Sequence, residues 1–320
     1  MRRKESGESM KTFVGRIHVG AGTQIGPLTT FPVWMADLHG AALDVPPRAR
    51  LEVAELDEPR IDALTVSSQG DAPVLLTEGT LLRGGMQTRV LARDAVVLPG
   101  RRVEVETTCV EAGRWGGGTE HAVHERAPLR VLGELRGVRV DRRRRADRGD
   151  RQSRVWSSVQ SYEVHYGQRP TSSLVEMMED RHDARPVRRR VETIRRLLDE
   201  QIRTVMPGQC GIIIGVGGHP VMLETFGRHD TFTLMLPLMI NALALDGALY
   251  QDEPTPARRA VRFAQILQET AMQRATRISE GQIYGATNEV LDVRALETSF
   301  TSGVAHLLAI NTRHQLVRAA

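Results

Sequence analysis

Residues 74–115 form a compact run of strand signals with the sequence VLLTEGTLLRGGMQTRVLARDAVVLPGRRVEVETTCVEAGRW. Apolar and polar residues alternate through much of it, and glycine and proline interrupt it, which is typical of short strands joined by tight turns. The pair Gly84-Gly85 predicts a two-residue hairpin loop, because such a loop needs the positive φ angles that glycine adopts freely. In that hairpin, Thr80 would face Arg89.

Charged side chains fall on strand faces that the apolar pattern assigns to the interior. In the predicted hairpin, Glu78 lies one diagonal step from Arg89, beside apolar neighbours. The next strand ends in Glu111, on the face that carries its valines. A charge in such surroundings is costly unless it is paired. We therefore expect these groups to meet in a partly enclosed hollow.

Composition indicates an ordinary globular protein. Of the 320 residues, 41% are hydrophobic and 26% are charged, which is enough apolar material for a sizeable core. The net charge of +4 rests on arginine, since lysine occurs only at positions 4 and 11. Positive charge is spread along the chain and no aromatic-rich RNA-binding signature accompanies it, so we do not expect nucleic-acid binding.

The sequence favours a cytoplasmic location. The longest largely apolar run, 232–245, covers 14 residues, which is too short to span a bilayer. The N-terminal residues lack the apolar core of a signal peptide. Two cysteines far apart, Cys109 and Cys210, make neither a disulfide framework nor a metal cluster. We predict no metal site, and the residues identify no cofactor.

Four segments follow from the distribution of strand, helix and charge signals. We expect a disordered tail at 1–11, a β-rich sandwich or barrel-like part at 12–140, a basic loop or linker at 141–154, and an α+β part at 155–320. The last part should combine helices with a smaller sheet and pack with the first as one unit. The arginine-rich segment 141–154 has a second interpretation, as an anion-binding arm.

The C-terminal part carries the clearest local signals. Pro186 opens an amphipathic helix, and Gly217-Gly218 predicts a second hairpin loop, which the closing strands could rejoin. Two histidines, His121 and His124, lie in a stretch that we interpret as a loop.

Five segments in this order resemble a known family: PLTTFPVW (27–34), GGMQTR (84–89), CVEAGRW (109–115), QSRVW (152–156) and CGIIIGVGGHPVMLETFGRHDTF (210–232). Together they resemble the ARG and Rhodanese-Phosphatase-superfamily-associated Protein domain, a mostly bacterial family, from about residue 15 to the C-terminus. Its members are associated with ADP-ribosylglycohydrolases and with phosphatase-like and rhodanese-like proteins. The resemblance therefore implies a role around NAD or ADP-ribose metabolism.

The candidate site combines these motif positions with the buried charges. The candidate ligand-binding residues are Gln87, Arg89, Arg114, Trp115, Gln152 and Trp156, and the candidate catalytic residues are Glu111 and Glu78. Arginine offers a forked donor to a diphosphate, and tryptophan offers a flat face to a base. A carboxylate can orient a ribose hydroxyl or activate water.

Two classes of function stay open at this level. In the first, the protein binds an ADP-ribose- or NAD-type nucleotide, with or without turning it over. In the second, it is a non-catalytic scaffold or partner of neighbouring ADP-ribosylglycohydrolase-associated enzymes, and a homo-oligomer fits either class. The same charged residues also fit a rigid polar core without a ligand.

Overall fold

In the part of the chain that the structure describes, a closed barrel of six strands and an antiparallel sheet of nine strands form the frame of the fold. The structure is a computed structural model that describes residues 15–36, 40, 42–46, 48–113, 116–138, 148–167, 172–179, 185–202, 205–300 and 303–318. Helices pack against both β-structures, which confirms the predicted α+β class.

The strands of the described residues, in chain order, are β1 (Ile17–Val19), β2 (Thr23–Ile25), β3 (Leu28–Met35), β4 (Leu51–Ala54), β5 (Ala63–Ser68), β6 (Val74–Leu76), β7 (Thr80–Gly84), β8 (Arg89–Leu91), β9 (Ala95–Val97), β10 (Arg102–Cys109), β11 (Glu120–Arg126), β12 (Gly211–Val216), β13 (His219–Phe226), β14 (Gln273–Ile278), β15 (Gly281–Thr287), β16 (Leu291–Thr298) and β17 (Val304–Asn311). The helices are α1 (Leu129–Arg136), α2 (Arg148–Tyr166), α3 (Leu174–Glu179), α4 (Pro186–Ile202), α5 (His229–Gly247), α6 (Ala257–Glu269) and α7 (Gln315–Arg318).

The barrel runs in the order β10-β5-β4-β11-β7-β8 and closes where β8 pairs with β10. Its apolar interior contains, among others, Val53, Leu64, Val66, Leu82, Leu91 and Val105. Strand β11 lies between β4 and β7, so the expectation of a loop around His121 and His124 was wrong.

The sheet joins the two ends of the chain. Its order is β1-β3-β12-β13-β17-β16-β15-β14, with β2 also paired to β3. The closing strand β17 pairs with β13, which confirms that the C-terminal strands rejoin the second hairpin. Strands β1 to β3, which the sequence assigns to the β-rich part, belong to this sheet and not to the barrel.

The two glycine pairs behave differently. Val216 pairs with His219, so Gly217-Gly218 forms the predicted two-residue loop, with φ of 52° and 81°. In the first hairpin, Leu82 pairs with Arg89, so its loop is longer than two residues and the predicted register was wrong.

Helices pack against the barrel and against both faces of the sheet. Helix α4 begins at Pro186 and buries Val191, Ile194 and Leu198, as its apolar spacing predicts. Helix α5 packs on α4, β11 and β13, and α1 packs on α2. Among the described helices, none is both long and apolar enough to cross a bilayer.

Parts of the predicted segments lie outside the described residues. These are the tail 1–11, the candidate residues Arg114 and Trp115, and 141–147 of the basic segment. The remainder of the basic segment, 148–154, forms the beginning of α2.

Candidate functional site

Most of the described candidate residues come together at one end of the barrel interior. We call this group the barrel cluster, and it consists of Glu55, Gln87, Arg89, Cys109, Glu111, His121, Gln152 and Trp156. Gln152 and Trp156 reach it from α2, and Trp156 lies beside the thiol of Cys109. Arg89 and Cys109 are cross-strand partners on β8 and β10, which places their side chains on one face. Arg89 Nη1 donates to Gln87 Oε1 at 2.9 Å, and Arg89 Nη2 lies 3.9 Å from Glu55 Oε1.

Other contacts connect the barrel cluster to the surrounding chain. Glu111 Oε2 accepts a hydrogen bond from the backbone N–H of Thr88 at 2.9 Å. Gln152, on α2, bonds to both backbone groups of Cys109, at 2.9 and 2.8 Å. The barrel cluster therefore ties α2 to the end of β10.

The barrel cluster is packed tightly and mostly neutral outside its ion pair. Arg89 is 1% exposed and Glu111 is 8% exposed. Burial raises the pKa of Cys109, which keeps its thiol protonated. Burial lowers the pKa of His121 although its Nε2 lies 3.2 Å from Glu55 Oε1, so the imidazole is neutral near pH 7.

Glu78 lies elsewhere, and the expected pairing of Glu78 with Arg89 was wrong. The Glu78 carboxylate accepts hydrogen bonds from Arg136 Nε, at 3.1 Å to each oxygen, and from Arg136 Nη2 at 2.8 Å. It also accepts from Arg294 Nη1 at 2.8 Å. Its partners come from α1 and β16, far from the hairpin in sequence, and local strand geometry does not reveal them.

Glu78 belongs to a second buried group, which we call the interface network because it joins the barrel region to the sheet. Its members are Glu78, Asp94, Arg126, Arg136, Glu224, Asp292, Arg294 and His306. Four of them are acidic, three are arginines and one is a histidine. Arg136 also bonds to Asp292 Oδ1 at 3.3 Å and to the carbonyl of Leu308 at 3.0 Å.

His306 is the charged centre of the interface network. Its Nδ1 lies 2.7 Å from Asp94 Oδ2 and its Nε2 lies 2.8 Å from Glu224 Oε1. Burial alone would lower the pKa of His306, but the two carboxylates outweigh it and raise that pKa to about 9. Glu224 also forms an ion pair with Arg126, so each charge in this row has an opposite neighbour.

A cavity of about 800 Å³ opens beside the interface network, between the end of α6, the strands β14 to β16 and the residue Arg93 that follows β8. We call it the arginine cavity, since Arg93, Arg136 and Arg294 line it. Asp292 lines it as well, but its two oxygens accept hydrogen bonds from Arg136 and from Thr287 Oγ1, the latter at 2.6 Å.

Two of these arginines are held in place and still partly exposed. Arg93 is ion-paired with Glu106 and donates through Nη1 to Thr276 Oγ1 at 2.8 Å, and its side chain is 33% exposed. The Arg294 side chain is 29% exposed. Among the described residues its hydrogen bonds are made by Nη1 alone, to Glu78 and to the carbonyl of Ala92.

The two arginines also repel each other. Removal from water lowers the pKa of Arg294, Glu78 opposes that effect, and the positive charges of Arg136 and Arg93 lower it further.

Sequence reasoning did not find the arginine cavity. A signal for it exists in β16, where Asp292 and Arg294 stand two residues apart between the apolar residues Leu291, Val293 and Ala295 and therefore share a face. Arg93 and Arg136 carry no comparable signal, because their partners are distant in sequence. Within the described part of the chain, no three His, Cys, Asp or Glu side chains form a group suited to a metal ion.

The comparisons with known proteins identify the family. Comparison with curated proteins found no match, and neither did comparison with solved structures. The model of the ARG and Rhodanese-Phosphatase-superfamily-associated Protein domain matches residues 16–310, which is nearly the whole chain. The protein therefore belongs to the ARG and Rhodanese-Phosphatase-superfamily-associated Protein domain family.

Proposed function

We propose that this protein binds an ADP-ribose- or NAD-type nucleotide in the arginine cavity. The observation that carries the proposal is the pair Arg93 and Arg294, two guanidinium groups that are fixed by carboxylates and partly exposed to a cavity of about 800 Å³. Small-molecule sites commonly have volumes of ~300–1,000 Å³. A fixed, forked guanidinium group suits the oxygens of a diphosphate.

Electrostatics support an anionic ligand. Arg93, Arg136 and Arg294 place like charges close together, while Glu78 and Asp292 are already engaged by protein donors. A bound diphosphate would bring further counter-charge to these guanidinium groups, and Glu269 is the remaining carboxylate of the cavity lining. The association of the family with ADP-ribosylglycohydrolases favours this nucleotide class over other polyanions.

The proposal concerns binding and does not extend to catalysis. Glu78, a candidate catalytic residue, receives four hydrogen bonds from arginines. A carboxylate with all its acceptor positions occupied has none left to take a proton from water. Catalysis by Glu111 stays a prediction.

Titration calorimetry with ADP-ribose and NAD tests the proposal. We expect saturable binding to the wild-type protein and a loss of about 10- to 100-fold in affinity for Arg294→Gln, since a hydrogen bond to a charged group contributes ~1.5–3 kcal/mol. Arg93→Gln should act in the same direction, and Glu106 would keep Arg151 as its partner at 2.5 Å.

The matched control is Arg277→Gln. Arg277 lies on β14 but lines a different cavity, so this variant removes the same charge without touching the site. Equal affinity of Arg294→Gln and wild type, with both proteins folded by circular dichroism, would reject the arginine cavity. Loss of binding in Gln152→Ala alone would move the site to the barrel cluster.

A further inference from the structure

The lining of the arginine cavity contains no aromatic ring among its described residues. The lining residues Ile283 and Gly285 flank Tyr284 on β15, but Tyr284 is 2% exposed and packs in the core on the opposite face of the strand. Proteins that hold a nucleobase commonly stack it on an aromatic side chain, which contributes ~1–3 kcal/mol per base. The described part of the lining therefore offers no aromatic side chain on which a base could stack.

The lining is instead rich in groups that bond to hydroxyls. Three of them, Glu269, Thr270 and Gln273, line the cavity at the end of α6 and the start of β14. Thr270 Oγ1 donates to the carbonyl of Ile266 at 2.7 Å, so its hydroxyl is left to accept. Thr276 Oγ1 accepts from Arg93, which leaves its hydroxyl proton free to donate.

Asn288 adds a donor of fixed orientation. Its Oδ1 accepts from the backbone N–H groups of Val290 and Leu291, at 2.8 and 2.9 Å. The amide is thereby held so that its NH2 group is left to donate. Together with Arg93 and Arg294, these side chains form the lining expected around a phosphorylated sugar.

We infer that the arginine cavity recognises the phosphate and ribose of its ligand and not the nucleobase, so that a simple sugar phosphate is a sufficient ligand. This inference rests on the proposed function and narrows it. The class of ligand is a phosphorylated pentose, either free or as the terminal ribose phosphate of a larger molecule such as ADP-ribose.

Calorimetry with four probes tests the inference: ADP-ribose, ribose 5-phosphate, pyrophosphate and adenosine. We expect ribose 5-phosphate to bind within tenfold of ADP-ribose, and adenosine neither to bind nor to compete. Ribose 5-phosphate binding more than tenfold weaker than ADP-ribose, or competition by adenosine, would overturn the inference and leave the proposed function intact. Binding of none of the phosphorylated probes would reject both.

A variant separates sugar contacts from phosphate contacts. Gln273 is exposed on β14 and lines the arginine cavity, so Gln273→Ala should weaken ribose 5-phosphate about three- to tenfold and leave pyrophosphate unchanged. Its neighbour Arg274 lines the other cavity, and Arg274→Ala should change neither affinity. Unchanged binding of ribose 5-phosphate to Gln273→Ala would contradict a sugar contact at this wall.

Discussion

Glu78 is a buried carboxylate that joins the barrel region to a helix and to the sheet. Its side chain is 2% exposed, and its charge is neutralised by Arg136 and Arg294, which come from two different elements. The sequence correctly indicates a buried carboxylate that must be paired. It does not reveal which arginines pair with it, because they follow Glu78 by 58 and 216 positions.

Replacing Glu78 by glutamine should destabilise the protein strongly. The variant removes the carboxylate charge that Arg136 and Arg294 share and leaves Asp292 as the remaining ion-pair partner of Arg136. Breaking a buried pair costs ~3–5 kcal/mol. Urea unfolding of the wild-type protein and of Glu78→Gln measures the difference in the free energy of unfolding.

The control is Glu104→Gln. Glu104 pairs with Arg60 at the surface, where both side chains are about half exposed. Exposed pairs contribute ~0–1 kcal/mol, so this variant should unfold close to wild type. If both variants lost equal stability, Glu78 would not be the anchor that its contacts indicate.

Of the two glycine pairs, one forms the hairpin loop that its local sequence predicts and the other does not. Gly217-Gly218 forms the predicted loop because its two strands are partners of each other along their whole length. Gly84-Gly85 does not form a two-residue loop, because the pairing of β7 with β8 ends at Leu82 and Arg89, and Gly84 instead lies opposite His121 of the distant strand β11. Gly84 and Gly85 lack a side chain and so allow β7 and β11 to approach closely. A sequence pattern does not distinguish this role of glycine from its role in a turn.

Gly85→Ala should therefore cost more than an ordinary substitution at positive φ. A Cβ atom at Gly85 would lie 2.1 Å from Nε2 of His121, whereas one at Gly100 would have no atom within 4 Å. Both glycines have positive φ, 54° and 65°, so Gly100→Ala carries the backbone strain of ~1–2 kcal/mol alone.

We expect Gly85→Ala to lose about 1–3 kcal/mol more than Gly100→Ala, since the added methyl group displaces His121 from Glu55. Denaturant unfolding of the pair of variants provides the comparison. Matching losses would mean that the barrel cluster accommodates the methyl group without strain.

The interface network consists of charged side chains that connect the barrel region to the sheet. Asp94 comes from the barrel region, and Glu224 and His306 come from β13 and β17. The sequence predicts the fold class, the family, the second hairpin and several helices, because those depend on periodicity and turn residues. It does not predict the interface network, because the contacts of this network join residues that are distant in the sequence.

The stability of the protein should fall as the pH rises from 7 to 8.5. The folded-state pKa of His306 is raised to about 9, above its ordinary value of 6.5, so its contribution is complete below pH 6.5 and is lost as the pH rises through 9. Over the interval from 7 to 8.5 the free energy of unfolding should drop by about 2 kcal/mol.

Other shifted groups act outside this interval. Burial raises the pKa of Asp246 to about 6, so its effect ends below pH 7, and the cysteines begin to contribute near the ordinary thiol pKa of about 8.5. Urea unfolding of the wild-type protein and of His306→Gln, measured from pH 7 to 8.5, shows whether His306 causes the pH dependence. A slope that survives in His306→Gln would assign the pH dependence to another group.

The order of strands in the sheet also determines when each strand can pair during synthesis. β3 pairs with β12, whose residues follow about 180 positions later, whereas all six barrel strands lie between 51 and 126. As the nascent chain leaves the ribosome, the barrel can close on neighbours already present, while one edge of β3 stays without its partner until β12 emerges. Until then, the unpaired edge of β3 can pair with strands of other chains. A chaperone that covers residues 28–35 would protect the nascent protein from aggregation.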